Sequence, residues 1–316
     1  MKILITELIW EEGIKELADQ GFEIEYDETL WSKREQLLEI IPRFDAVIIR
    51  NQTKVDNDLL NSGINLKAVG RLGVGLDNID LKIAKEKNIK VVYAKHANAT
   101  SVAEYVITAM LNVQRPLHLA ELDVREGNWN RKKYTCGELY QKTIGLVGLG
   151  EISHRVSKRA KAFGMNVIGY DPFVTEYDHI LSETGVEIKS LLNDVLSKSD
   201  FVSLHVPLTS QTYSLIGQNE LKLMKPTSYI INTARGGIID ENALAEALNH
   251  NMISGAFLDV LEVEPLDLGH PLLDCNNAFI TPHIAGLTNE SQIRTSSLVA
   301  KEIIKVLSGK VSLCIV

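Results

Sequence analysis

The 316-residue chain is long for a single core and favours two domains, and its 45% apolar and 23% charged residues are ordinary globular composition with no bias toward disorder. A formal charge of −8 without any dense Lys/Arg block argues against a nucleic-acid or anionic-membrane surface, since either needs a concentrated positive field; an anionic ligand would need a local basic pocket. Cys136, Cys275 and Cys314 are odd in number, far apart and in no C-x-x-C pair, so neither a disulfide framework nor a metal site is expected, and a reducing cytoplasm is.

In chain order, the first apolar run, Ile3–Ile5, is followed by an acidic stretch at Glu11-Glu12 and is too short for a signal peptide; no later run is long enough to span a bilayer. Further short apolar runs follow at Ala46–Ile49, Ala68–Val69, Val91–Val92, Ile144–Val147, Val167–Ile168, Phe201–Val206, Tyr229–Ile231, Ala256–Val260 and Phe279–Ile280. Their length and lack of alternation are those of strands buried on both faces of a parallel sheet. Helical patterns separate them at Ile14–Leu17, Leu37–Ile41, Ile152–Phe163, Leu191–Leu196 and Ala243–Leu248. This alternation predicts an α/β fold with helices on both sheet faces. Two longer helices are expected, one over about Ser101–His118 and one over about Asn289–Leu307, the latter stopping near Gly309.

The segment Thr143–Ser153 places Gly148-Leu149-Gly150-Glu151-Ile152-Ser153 directly after a strand pattern and directly before a helix pattern, the context of a dinucleotide-binding turn. Gly148 allows the tight turn and Gly150 lets the backbone approach a pyrophosphate, while the helix start supplies amide donors. Ser153 stands where glycine or alanine is usual, and His154 after it has no evident role. Asp171 follows the next strand pattern, Asn166–Tyr170, at the distance from which a carboxylate accepts hydrogen bonds from the adenosine ribose; with Pro172 and Phe173 after it rather than arginine, NAD is favoured over NADP.

Three further segments end predicted strands: Asn232-Thr233-Ala234-Arg235-Gly236-Gly237, Asp259-Val260-Leu261-Glu262-Val263-Glu264-Pro265, and Thr281-Pro282-His283-Ile284-Ala285-Gly286. In an open α/β sheet that edge binds ligands, so an arginine, a carboxylate and a histidine are expected together there. With the glycine turn, with Gly70–Asp80 (GRLGVGLDNID) and with Ser101–Tyr105 (SVAEY), these segments resemble the D-isomer-specific 2-hydroxyacid dehydrogenases over nearly the whole chain.

The resemblance implies two Rossmann-like or flavodoxin-like parallel-sheet domains: a substrate domain from residues 1–100 plus 285–316, and an NAD-binding domain from residues 101–284, with the active site in the cleft between. It implies NAD-dependent interconversion of a small anionic 2-keto acid and its 2-hydroxy acid by a homodimer, with no nucleic-acid or membrane partner. It implies His283 as the proton donor, Glu264 as the carboxylate that orients it and stabilises its charged form, and Arg235 as the cation that holds the substrate carboxylate and carbonyl. The implied cofactor-binding residues are Gly148, Gly150, Glu151, Ile152, Asp171, His205, Pro207, Thr233, Ala234, Asp259 and His283. Val74 and Gly75 match the loop whose amides take the substrate carboxylate, and Arg50, Asn51, Arg71 and Arg131 match positions around a second anionic group.

That second group is a phosphate in phosphoglycerate-type members and a sulfonate in sulfolactate-type members, and both alternatives stand. If those arginines are merely solvated, glyoxylate or hydroxypyruvate becomes the substrate; an NAD-sensing binding protein, or oxidation of formate or phosphite, are rival readings on the same scaffold. The chain ends soon after its last helix, so serine feedback through a C-terminal regulatory domain is not expected.

Overall fold

The computed structural model describes residues 1–175 and 177–316, which fall into two compact units, one of residues 1–98 with 287–316 and one of residues 99–286. In the first unit, β1 (Lys2–Ile5), β2 (Glu23–Tyr26), β3 (Ala46–Ile49), β4 (Ala68–Arg71) and β5 (Lys90–Tyr93) form a parallel sheet in the order β2-β1-β3-β4-β5. This is the flavodoxin-like order, and the strands are apolar because both faces are covered. Along β1, Leu4 packs into one apolar layer while Ile3 and Ile5 pack into the other. The C-terminal helix Asn289–Leu307 completes the second layer with Val299, Ala300 and Ile303. Thr288 caps it by accepting from Ser291 N–H, and Ser296 Oγ accepts from Trp10 N–H at 3.1 Å, fixing the helix to the chain's first turn.

In the second unit, β6 (Thr143–Val147), β7 (Asn166–Tyr170), β8 (Glu187–Ile188), β9 (Phe201–Leu204), β10 (Tyr229–Asn232), β11 (Gly255–Leu258) and β12 (Ala278–Ile280) form a parallel sheet in the order β12-β11-β10-β9-β6-β7-β8. Strand order reverses between β6 and β9, the switch point at which doubly wound sheets bind dinucleotides. Apolar layers lie on both faces, one around Leu204, Ile230 and Leu258, the other around Leu146, Ile231 and Phe257.

Two elements differ from the sequence reading. The helix expected over Ser101–His118 is split: it runs Ala99–Gln114, and a second helix, Leu117–Arg125, begins after Pro116, which lacks the N–H needed to continue the first. The edge strands β2 and β8 carry no apolar run; β2 reads Glu-Ile-Glu-Tyr and has no fully buried side chain. No helix among the described residues is long and apolar enough to cross a membrane.

Candidate active site

The turn after β6 is shaped by backbone packing. Gly148 has φ +88°, and a Cβ there would sit 2.6 Å from the His205 carbonyl oxygen at the end of β9, so only glycine fits. Gly150 is the N-cap of the helix Glu151–Ala162; with no side chain to occupy them, the first amides of that helix are available to an anion. A Cβ on Gly150 would meet nothing within 4 Å, so the outer side of the turn is open. Ser153 is fully buried and donates its hydroxyl proton to Gly148 O at 2.5 Å, bracing the turn in place of the usual small residue. Asp171, at the end of β7, accepts from Leu149 N–H at 2.8 Å and Phe173 N–H at 2.9 Å, which aligns its carboxylate with the same turn.

Two buried polar atoms at this sheet edge, His205 Nδ1 and Thr233 Oγ1, find no hydrogen-bond partner among the described residues. Orphaned buried polar atoms of this kind are rare in a native fold unless a ligand completes them. Together with the open turn they fit a bound dinucleotide. His205 Nε2 pairs with Ser203 Oγ at 2.9 Å, and burial pushes the imidazole down to about 3, so it is neutral at ordinary pH.

The reactive edge is assembled from the ends of β10, β11 and β12. Asn232 is buried; its side-chain amide donates to Arg235 O at 2.8 Å and its Oδ1 accepts from Ala234 N–H at 3.0 Å, folding Thr233–Arg235 into a tight turn. A Cβ on the following Gly236 would overlap the backbone carbonyl of Leu261, so glycine is what lets the arginine loop lie against the loop after β11. Arg235 donates from Nη1 to Ala234 O at 2.6 Å.

Asp259 is almost fully buried and accepts from Thr281 Oγ1 at 2.6 Å, Ile284 N–H at 2.7 Å and Ala285 N–H at 2.7 Å. It thereby ties the end of β11 to the His283 loop. Burial raises its pKa above the usual carboxylate value, and these three hydrogen bonds limit the rise. Tyr105 OH pairs with Thr281 Oγ1 at 2.6 Å, adding the helix Ala99–Gln114 to the same brace.

His283 is held at φ +56°, a left-handed conformation uncommon for histidine, and its Nδ1 lies 2.9 Å from Glu264 Oε2. Glu264 Oε1 accepts from Leu261 N–H at 3.0 Å. Burial opposes ionisation of Glu264, but the bonds from His283 and Leu261 N–H and the charges of His283 and Arg235 outweigh it and hold the pKa below the usual value. The result is a carboxylate–imidazole pair with an arginine loop against it, which leaves His283 Nε2 to exchange a proton with a bound molecule.

In the first unit, Arg50 and Asn51 leave the end of β3, and Arg71, Val74 and Gly75 lie at and after the end of the neighbouring β4. Asn78 fastens the two loops by donating to Arg50 O at 2.9 Å and Thr53 O at 2.7 Å. Glu7, fully buried after β1, accepts from the N–H groups of Arg50, Thr53 and Gln52 at 2.8, 2.9 and 3.1 Å. The Arg50 guanidinium donates to Gln292 Oε1 at 2.6 Å and to Leu8 O at 3.4 Å, both neutral acceptors. Burial lowers its pKa and the nearby Glu7 charge raises it. Arg131 lies in the exposed stretch after Leu117–Arg125, and no hydrogen bond among the described residues joins its side chain to the Arg235–His283 group.

Sequence reasoning did not single out Glu7, Asn232, Thr281, Tyr105 or Gln292 as site residues. The available signal was a polar residue directly ending an apolar strand run, as at Asn232 and Thr281.

Comparison with known proteins agrees with this geometry. Residues 107–285 match the family model described as D-isomer specific 2-hydroxyacid dehydrogenase, NAD binding domain. A D-3-phosphoglycerate dehydrogenase of Methanocaldococcus jannaschii is 44% identical over 312 residues, covering 99% of this chain; the chain spans only 58% of that relative's length. An (S)-sulfolactate dehydrogenase of Chromohalobacter salexigens is 43% identical over 294 residues, covering 93% of this chain and 94% of the relative. The crystal structure of the TT0316 protein from Thermus thermophilus superposes with a TM-score of 0.91 at 31% identity, over 100% of both chains. The chain therefore belongs to the D-isomer-specific 2-hydroxyacid dehydrogenase family, and residues 107–285 are its NAD-binding domain.

Proposed function

We propose that the protein is an NAD-dependent D-2-hydroxyacid dehydrogenase whose substrate carries a second anionic group, of the 3-phosphoglycerate or sulfolactate type. The observation that carries the reaction class is the His283–Glu264 pair at 2.9 Å, with the Arg235 loop packed against Leu261.

When bound, the nicotinamide cofactor supplies or accepts the hydride at C2 of the substrate. Arg235 binds the substrate carboxylate and carbonyl with its planar fork, which fixes the orientation of C2. Negative charge grows on the carbonyl oxygen during reduction, and His283 Nε2 delivers the proton that quenches it. Glu264 holds the ring through Nδ1, so Nε2 is the transferring nitrogen, and its charge stabilises the imidazolium. In oxidation, His283 takes the hydroxyl proton. Asp259 positions the carboxamide of the ring, Asp171 the adenosine ribose, and Val74 and Gly75 the substrate carboxylate.

The doubly anionic substrate is supported by the chemistry around Arg50. Its side chain is held by neutral acceptors, and the oxygens of Glu7 are occupied by backbone amides, so the positive charge remains available to a phosphate or sulfonate. Asn51, Arg71 and Arg131 are the further residues proposed for that group. The relatives named for phosphoglycerate and for sulfolactate support this substrate class and leave both acids open.

We also propose a homodimer. The helix Leu117–Arg125 has no buried residue and exposes Leu117 and Val124 on one side and Leu119 and Leu122 on the other, apolar surface that a second copy can cover. Light scattering should give the mass of two chains, and one chain for Leu119→Asp with Leu122→Asp.

The substrate assignment is tested by NADH oxidation with phosphohydroxypyruvate, sulfopyruvate, hydroxypyruvate and glyoxylate. The expected result is a preference for one of the first two, lost in Arg50→Ala through a KM rise of about 10- to 100-fold, as for loss of a charged hydrogen bond. Equal kcat/KM on hydroxypyruvate or glyoxylate, unchanged in Arg50→Ala, would overturn it.

A further inference from the structure

His154 has no counterpart in the usual glycine turn, and the reaction leaves it without a task. It lies one turn into the helix Glu151–Ala162, three residues after Glu151 and on the same face. Across from it, the short helix His179–Thr184 presents His179 and, four residues on, Glu183. One ligand atom from each of Glu151, His154 and His179 lies within 4.8 Å of the others. The His154 and His179 rings meet edge to face, 5.2 Å between centroids, and His154 Nε2 lies 3.1 Å from Glu183 Oε2.

We propose that Glu151, His154, His179 and Glu183 form a binding site for a divalent first-row transition metal of the zinc type, which clamps the helix after the glycine turn to the helix after β7. Two imidazoles and two carboxylates are the donor set that Zn²⁺ takes; Mg²⁺ and Ca²⁺ prefer oxygen alone. Four ligands at zinc bond lengths of about 2.0–2.2 Å lie about 3.3 Å apart in a tetrahedron, close to the separation of His154 and Glu183. The ligand atoms of Glu151, His154 and His179, within 4.8 Å of one another, must draw closer to reach that spacing, and His179 is exposed and Glu151 partly so.

Two cations share these carboxylates: Arg155 pairs with Glu151 at 2.7 Å and Lys158 with Glu183 at 3.1 Å. Both pairs are partly exposed, and a metal competes with Arg155, which reaches Glu151 through Nε and Nη2, and with Lys158 for these carboxylates. The donors come as two helical pairs, Glu151 with His154 at i,i+3 and His179 with Glu183 at i,i+4, and they meet because the helix after β7 lies beside the helix after the glycine turn.

The test is calorimetric titration of the full-length, chelator-stripped protein with ZnCl₂, together with Co²⁺ absorption spectra. One Zn²⁺ per chain is expected, weakened at least about tenfold in His154→Ala and in His179→Ala, as loss of one ligand requires, and unchanged in Cys136→Ser. The Co²⁺ spectrum should show four-coordinate visible bands without a thiolate charge-transfer band. His154→Gln, which keeps a polar side chain of similar size, serves as the second variant, with circular dichroism to verify folding. No binding to the wild-type protein, equal binding by the folded histidine variants, or a thiolate band lost in Cys136→Ser would overturn the proposal.

Discussion

At the scale of single residues, hydrogen bonds fix the orientation of the proposed catalytic groups. His283 Nδ1 is taken by Glu264, which leaves Nε2 as the nitrogen of the proposed proton transfer; Glu264 uses one oxygen for Leu261 N–H and the other for His283. Glu264→Gln should lower kcat about 10²-fold with a smaller change in KM, because the lost charge matters most when the imidazolium forms. Steady-state kinetics measure this, and an equal fall in kcat and rise in KM would point to a binding role instead. Gln292 is a second example. As a neutral acceptor at 2.6 Å it aims Arg50 without cancelling its charge, so Gln292→Glu should remove the preference for phosphorylated or sulfonated substrates while sparing hydroxypyruvate. Retained preference in Gln292→Glu would contradict this account of the pocket's charge.

Among elements, the loops after β10, β11 and β12 form one hydrogen-bonded unit through Asn232, Asp259, Thr281 and the close approach at Gly236. Gly236→Ala would drive a methyl group into the Leu261 backbone, and a destabilisation of about 1–3 kcal/mol is expected from such overpacking, with activity falling further than stability. Urea denaturation measures the first and turnover the second. The end of β9 carries a pH dependence. His205 is held neutral by burial down to about 3, whereas in the unfolded chain it takes up a proton near 6.5. Between those values the unfolded chain binds more protons, so stability falls as pH drops, by up to about 1.4 kcal/mol per pH unit. His205→Asn should flatten urea-derived stability between pH 6 and pH 4 relative to wild type; parallel curves would mean that the imidazole is solvated.

The elements were legible in the sequence wherever burial was two-sided. β1, β3 and β6 have no polar residue among their buried positions, β9 and β10 only Ser203 and Asn232, and the helix Asn289–Leu307 has the expected bounds because Thr288 caps it and Gly309 follows it. Of the edge strands, β5 and β12 were legible from Val91–Val92 and Phe279–Ile280, but β2 and β8 were not, since β2 buries so little that Glu23, Glu25 and Tyr26 need no apolar replacement. Arg235, Glu264 and His283 could be found because each belongs to a local run of distinctive residues. Glu7 and Gln292 could not: their partner Arg50 is 43 and 242 residues away, and a hydrogen bond across such a separation leaves no periodicity to read.

For the molecule as a whole, two parallel sheets of different strand order explain why one chain can carry both cofactor and substrate chemistry. The seven-stranded unit has the reversal point, the glycine turn and the His283–Glu264 pair; the five-stranded unit has the Arg50 and Arg71 loops. The proposed anionic substrate is compatible with the net charge of −8 because Arg50, Arg71 and Arg235 each sit at or just after the end of a strand. The central claim is that His283 moves the proton in a nicotinamide-dependent reduction of a 2-keto acid. The most direct test is NADH oxidation by wild type and His283→Ala on the preferred 2-keto acid, with NADH affinity followed by fluorescence. The account predicts a kcat/KM loss of about 10²–10⁴-fold in the variant at nearly unchanged NADH affinity. Turnover by His283→Ala at the wild-type rate, or tight NADH binding by the wild-type protein with no turnover on any 2-keto acid, would contradict it.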